Sequence, residues 1–407
     1  MKEGVKWPSM PYEEYRLRIE KAKEVMPKHG LDAMILFSPV NWRYYGGWTD
    51  VAQMHCDAWR SAFLLCPDRD PVALVHGAFG NFNIPLTTYI EDVRVWSEEP
   101  IWQLPHDSFW SLFYDTLKEL GIDDKRLGIE TGDNIKTYLS IDEYLKMVND
   151  LPDAKIVSAD KAIWEQRRVK SDYEIEIIRE GCRKACIVVR EAFEAIKPGV
   201  NELDMHKAYW EACAKYGLLE SPNESTWLCW SSNANEAGGV HRWITPAVDR
   251  IIQEVDAGIC DTGPTYKGYQ IDIQRTFYVG QPPQKQIELS NIIKDAFLET
   301  LEFIKPGIRV CDIYTKAVET IQKRDSDQLP IIDFMGHSMG FANHEPPWIR
   351  ANEETIVEPK MVFCVEMGAF DPNQKLCGSM PEDIVLVTDN GIENLTSYLP
   401  LDLWIVT

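Results

Sequence analysis

The spacing of apolar and polar positions changes character part-way along the chain. In the first 160 residues, amphipathic runs with a helical period alternate with short, wholly apolar runs. That is the pattern of helices packed on a sheet. The spacing predicts helices over residues 11–25, 107–120 and 140–148, and strands over 33–37, 61–66, 72–75, 126–130 and 155–157. His29-Gly30 and Gly121 end the first two helices. Ser140 with Glu143 opens the third as a capping box. The aromatic, glycine-rich stretch 41–48 (NWRYYGGW) reads as a loop. Residues 1–160 are therefore expected to form an α/β domain on a mixed or parallel sheet.

Beyond Arg167-Arg168 the pattern differs. A long helix is predicted from Ser171, capped by Glu174, to about residue 195. A chain of 407 residues is too long for one core, so a second domain is expected over 161–407. This half carries an internal repeat. AFEAIKPGVNELDMHKAY (192–209) matches TLEFIKPGIRVCDIYTKAV (300–318), and each copy is a helix end, Ile-Lys-Pro-Gly and a new helix. Pro198 and Pro306 are 108 residues apart. Each copy is followed by a histidine-bearing loop and an acidic hairpin. Two such halves about an approximate twofold would bring four carboxylates to the axis.

The first hairpin is VDAGICDTGPTYKGYQIDIQRTFYVG (255–280). Two extended runs flank the turn-forming residues 263–268. Asp261 follows Ile259 and Cys260; Asp272 lies between Ile271 and Ile273 and points away from them. An unpaired carboxylate inside a sheet costs several kcal/mol. Two facing each other call for a positive charge between them, and a divalent cation supplies it. The alternative is that Asp261 caps a turn and Asp272 pairs with Arg275. The second hairpin, residues 361–388, carries Glu366 after Val362-Phe363-Cys364-Val365 and Glu382 before Ile384-Val385-Leu386-Val387. His337 lies in Gly336-His337-Ser338-Met339-Gly340, where small residues permit close approach. Asp261, Asp272, His337, Glu366 and Glu382 form an oxygen-rich set with one imidazole. It is too hard for a structural zinc site and suits manganese, cobalt, iron or zinc with bridging carboxylates.

Charge and cysteine usage narrow the partners. Acidic residues number 64 against 42 basic, a net charge of −22, which argues against nucleic acid and anionic membrane. No apolar run is long enough for a membrane helix, and the first residues lack a signal-peptide core. The ten cysteines show no Cys-x-x-Cys pair. A reduced, cytoplasmic protein is expected.

These motifs resemble the pita-bread metallohydrolases: aminopeptidase P, prolidase, methionine aminopeptidase, creatinase and their relatives. The residues that carry the resemblance are Asp261 to Thr276, with its two acids eleven apart, Gly336 to Pro347 (GHxxGxxxHExP), Glu366 of the MVFxxE strand, and Glu382-Asp383 before a valine-rich strand. The resemblance covers about 160–407 through strong motifs. The first half is similar to the smaller domain of prolidase and creatinase. The implied fold is an α/β N-terminal domain plus an α+β pita-bread domain with a pseudo-twofold repeat.

The resemblance implies two divalent metal ions per subunit, manganese foremost. Asp261 would chelate one, Asp272 and Glu382 would bridge both, and His337 and Glu366 would complete the other. A bridging hydroxide would attack a C–N bond, most simply the Xaa-Pro bond of a dipeptide or short peptide. Glu366 would shuttle its proton. His241 would contact the substrate or leaving nitrogen, and His344 would stabilise the oxyanion. Arg60 is similar to an arginine that reaches the partner subunit's pocket in creatinase, and a surface salt bridge is its other reading. A homodimer follows from the resemblance alone. Met380 stands where aminopeptidase P carries an arginine, and the GHS triplet is closer to creatinase and to dimethylsulfoniopropionate lyases. A small non-peptide substrate (amidine, ectoine-type ring or sulfonium) is therefore the second functional reading, and a non-catalytic binding module the third.

Overall fold

The computed structural model describes residues 5–48, 59–77, 84–98, 104–219, 227–231, 246–324, 331, 333–371 and 376–407. The chain divides into two compact units, residues 1–167 and 168–407. The division falls beyond residue 160 because 160–167 forms a helix of the first unit, tied to its first helix by Gln166 Nε2 donating to Arg18 O (2.7 Å) and by His29 Nε2 and Glu165 Oε2 at 2.7 Å.

In the first unit the elements are α1 (Tyr12–Lys28), β1 (Ala33–Leu36), α2 (Pro39–Gly46), β2 (Ala62–Leu65), β3 (Val72–His76), α3 (Ile84–Thr87), β4 (Asp92–Trp96), α4 (Phe109–Leu120), β5 (Arg126–Ile129), α5 (Ile141–Asp150), β6 (Lys155–Ser158) and α6 (Asp160–Arg167). The six strands form a mixed sheet in the order β4-β3-β2-β1-β5-β6. β1 runs antiparallel to β2 and parallel to β5. Helix α4 lays Phe109, Leu112, Phe113 and Leu117 on the core. The capping box on α5 forms as its sequence predicts. The segment expected to be a loop is instead α2. Pro39 sits at its N1 position and Gly47 ends it in a left-handed conformation. Its start is held from a distance: the buried Glu130 carboxylate accepts from Phe37 N (2.6 Å), Ser38 N (3.0 Å) and Asn41 Nδ2 (2.5 Å). Burial pushes this carboxyl up to about 7, against these hydrogen bonds.

The second unit contains α7 (Asp172–Glu194), α8 (Glu202–Tyr216), β7 (Trp227–Ser231), β8 (Ala257–Gly263), β9 (Thr265–Tyr266), β10 (Tyr269–Gln270), β11 (Ile273–Val279), α9 (Gln284–Phe303), α10 (Val310–Arg324), β12 (Gly336–Ser338), β13 (Glu345–Trp348), β14 (Val362–Glu366), β15 (Ala369–Asp371), β16 (Leu376–Ser379), β17 (Glu382–Val387), β18 (Ile392–Asn394) and β19 (Trp404–Val406). The main sheet has the order β13-β12-β14-β17-β11-β8-β7, with β18 on β17 and β19 on β11. Ser171 and Glu174 make the expected capping box on α7. Leu289, Ile293, Phe297, Ile313, Ile321, Phe363, Val365 and Val385 belong to one buried cluster formed by α9, α10 and the sheet.

The sequence repeat is a structural repeat, visible in matching backbone hydrogen bonds. Gly199 N donates to Ile252 O (2.8 Å), as Gly307 N donates to Val357 O (2.9 Å). Glu202 N donates to Arg250 O (2.9 Å), as Val310 N donates to Thr355 O (2.9 Å). The copies meet where β11 pairs with β17, at Gln274 and Glu382. Among the described residues, no helix is long and apolar enough to cross a membrane.

Candidate metal centre

One row of the sheet carries most of the site. Asp261 of β8 pairs in register with Gln274 of β11, Gln274 with Glu382 of β17, and Glu382 with Glu366 of β14. Residues directly opposite each other on neighbouring strands share a face. Asp261, Gln274, Glu382 and Glu366 therefore line one face in that order. His337 of β12 pairs with Cys364, two residues before Glu366 and so on that same face.

This register corrects the expected hairpin. Asp272 lies one residue ahead of β11, at the end of a connection that includes β9 and β10. Asp261 faces Gln274, not Asp272, and the repeat makes Gln274 the counterpart of Glu382. Asp272 reaches the site from the loop end. Its Oδ2 accepts from Asn343 Nδ2 (2.9 Å) and lies 3.5 Å from His337 Nε2. The alternative pairing of Asp272 with Arg275 does not occur. Arg275 donates to Asp383 Oδ1 (2.6 Å), Glu382 O (2.6 Å), Leu399 O (3.0 Å) and Pro400 O (2.9 Å).

His337 Nδ1 is 2.9 Å from Ser338 O, an oxygen that only accepts, so Nδ1 carries a proton and, in the neutral ring, Nε2 is the lone pair. Nε2 lies 4.0 Å from Glu366 Oε1 and 3.9 Å from Glu382 Oε1. One donor atom each from Asp272, His337, Cys364 and Glu382 lies within 4.8 Å of the others. All four residues are buried.

The electrostatics favour a positive charge among these groups. Burial pushes the Glu366 carboxyl up to about 7, opposed by His337 and assisted by Asp272. Glu382 is raised well above the carboxylate range by burial first, then by Asp272, Glu366 and Asp261, against Arg275. Burial pulls His337 down, but the Asp272 carboxylate 3.5 Å away, with Glu366, leaves it net raised. Asp272 Oδ1 and His337 Nε2 are buried with no hydrogen-bond partner among the described residues. Four acids, one imidazole lone pair and orphaned donor atoms fit divalent cations.

His344 stands beside His337, ring centroids 4.1 Å apart, and stacks on Trp348 at 5.8 Å. It is exposed. Its pKa is pushed down to about 4 by the protein around the rest of the ring and then by His337. Met380 is buried, with its side chain against Gly368. Arg60 lies in the first unit, where Nη2 and Nε bind Glu143 (2.7 and 3.1 Å) and Nη1 donates to Tyr138 O. His241 lies outside the described residues. Cys364, Gln274 and Asn343 were not singled out from sequence. Cys364 and Glu366 are two apart on one strand, and that spacing alone places the thiol on the acids' side.

Two family profiles cover nearly the whole chain: "Metallopeptidase family M24" over residues 176–389 and "Creatinase/Prolidase N-terminal domain" over 18–169. The chain belongs to metallopeptidase family M24. It is a metallohydrolase of the pita-bread fold, and divalent metal is implied by that family. The chain is 27% identical to a creatinase of Bacillus sp. over 402 residues, covering 96% of this chain and 92% of the relative. It is 28% identical to an Xaa-Pro dipeptidase of Pyrococcus furiosus over 379 residues, covering 93% and 97%. A prolidase from Pyrococcus horikoshii superimposes with a TM-score of 0.75 at 25% identity, covering 94% of this chain and 98% of that one. An Xaa-Pro dipeptidase from Bacillus anthracis, at 23% identity and a TM-score of 0.79, shares the fold over 96% and 100%.

Proposed function

We propose that this chain hydrolyses the Xaa-Pro bond of dipeptides or short peptides at a centre of two divalent ions held by Asp261, Asp272, His337, Glu366 and Glu382. The observation that carries the reading is the in-register row of acids on one buried face, with the His337 lone pair and the orphaned Asp272 oxygen beside it. Bound divalent ions supply a Lewis acid for the scissile carbonyl and make water acidic enough to attack at neutral pH. Manganese, cobalt, iron and zinc all suit the oxygen donors.

The chain's own groups do the rest. Asn343 fixes the Asp272 carboxylate, and Ser338 O fixes the His337 tautomer. Glu366 keeps slight solvent access, 6% of its surface, and is placed to take the proton of the attacking water and deliver it to the leaving nitrogen. His344 is neutral at pH 7 and oriented by Trp348. It donates to the carbonyl oxygen as negative charge develops there. The acidic, cysteine-bearing composition supports a reduced cytoplasmic setting, and likeness to the family supports a homodimer.

The test is hydrolysis of an Xaa-Pro dipeptide by protein stripped of metal and reloaded with manganese or, separately, cobalt. Metal-dependent turnover is expected. A protein that holds its ions and does not cleave would overturn the peptide substrate. The resemblance to creatinase would then direct assays to amidine compounds.

A further inference from the structure

We propose that the Cys364 thiol is a metal donor of this centre and biases one of its positions toward thiophilic ions, zinc and cobalt over manganese. The inference rests on reading the site as a metal centre and adds to it a ligand that the family motifs do not supply.

Cys364 is fully buried and is not in a disulfide. It occupies the middle of β14, in register with His337 on one side and Ile384 on the other. A buried cysteine ordinarily packs as a small apolar group. This one has Ile384 as one register partner, but its sulfur also lies among donor atoms on the same face of the sheet. Its sulfur, one ring nitrogen of His337 and an oxygen each of Asp272 and Glu382 lie within 4.8 Å of one another. Donor atoms at that spacing can share one ion. Two of the other atoms at the site, His337 Nε2 and Asp272 Oδ1, have no hydrogen-bond partner among the described residues. The thiol therefore belongs to a set of donors suited to a cation.

The chemistry follows from softness. The acids and imidazole alone form a hard set that accepts manganese readily. A thiolate added to such a set favours softer ions. The S–H proton leaves to solvent as the sulfur–metal bond forms, so one negative charge is added at the ion. Glu366 Oε1 lies 4.0 Å from His337 Nε2 and stays available beside this group of four.

The experiment is the absorption spectrum of the full chain stripped of metal and reloaded with cobalt(II). Thiolate ligation gives an intense sulfur-to-cobalt band in the near ultraviolet, beside weak visible bands from cobalt in any protein site. The expected result is both sets in the wild type, with the ultraviolet band lost and the visible bands kept in Cys364→Ser. Zinc affinity of that variant should fall by at least the roughly 10–100-fold that even an outer partner of a ligand contributes, with manganese affinity changed less. Visible bands without the ultraviolet band in the wild type would overturn the inference and leave the metal centre standing. An ultraviolet band that survives in Cys364→Ser would assign it to another cysteine and also overturn it. No cobalt bands at all would remove the metal centre and this ligand together. Should the variant misfold, X-ray absorption of the zinc-loaded wild type decides: sulfur in the first coordination shell is expected, and nitrogen and oxygen alone would contradict it.

Discussion

The Arg275 guanidinium and the Asp383 carboxylate meet at 2.6 Å on the side of the sheet away from the metal-binding face. Gln274 and Glu382 are register partners that look toward the site, so the next residue of each strand looks away from it. The pair is buried and extended by Thr396 Oγ1 and Asn394 Nδ2, which donate to Asp383 at 2.8 and 2.7 Å. It fastens β11 to β17 behind the residue that anchors the centre. Asp383→Ala leaves a buried guanidinium uncompensated, at a cost of about 3–5 kcal/mol. Denaturant unfolding of the metal-free protein should show a midpoint lowered accordingly. An unchanged midpoint would mean that the network contributes little.

Gln274 should behave in the opposite way. Its amide is fully buried between Asp261 and Glu382, and neither Oε1 nor Nε2 has a partner among the described residues. An unsatisfied buried amide costs about 1–3 kcal/mol, and an apolar group of similar shape relieves it. Gln274→Leu should melt no lower than wild type without metal, while the rise in melting temperature on adding metal should shrink. A sharply lowered metal-free melting temperature would show that the amide already has a partner.

The pH dependence of the metal-free protein follows from Glu366 and Glu382. Both have folded pKa values above the ordinary carboxylate value of 4.5, Glu366 at about 7. Their contribution is fully present below 4.5 and is lost as pH rises through the folded values. For Glu366 the loss is about 1.4 kcal/mol per pH unit between the two. His344 acts in the other direction. Its pKa falls from 6.5 to about 4, so its contribution is complete above 6.5 and is lost as pH falls toward 4. Above 6.5 His344 no longer opposes the carboxylates, the raised His337 acts in the same direction as they do, and thermal stability of chelated protein should fall between pH 6.5 and 7.5. Divalent metal should reduce that fall by favouring the ionised acids of the site, leaving the share that belongs to the buried Glu130 of the first unit. A metal-free stability that rises across this interval would contradict the assignment.

Gly336 allows β12 to lie against β14. Its φ is +125°, and a Cβ there would stand 2.0 Å from Cys364 O. Gly336→Ala should displace His337 from its register with Cys364. Calorimetric titration with manganese should show weakened binding while circular dichroism retains the helical signal. Wild-type affinity in this variant would show that the strand can yield.

The helices, the strands and the ligand motifs of the second unit were legible because each rests on local periodicity or on residues close in sequence. What was not legible depends on contacts between distant segments. Residues 41–48 look like a loop until Glu130, 89 positions beyond Asn41, caps the helix they form. Asp261 and Asp272 look like partners until the β9–β10 insertion shifts the register and sets Gln274 between Asp261 and Glu382. Arg60 offered either a pocket role or a salt bridge, and its guanidinium is engaged by Glu143 on α5. Cys364 is one more apolar-run residue in sequence, and only pairing with His337 reveals what it faces.

The most direct test of the central claim is the divalent metal content of purified protein after reloading and exhaustive dialysis, in the wild type, Asp272→Ala and Glu382→Ala. The account predicts two ions per chain in the wild type and a loss in both variants with circular dichroism unchanged. Equal metal content in all three proteins would contradict it.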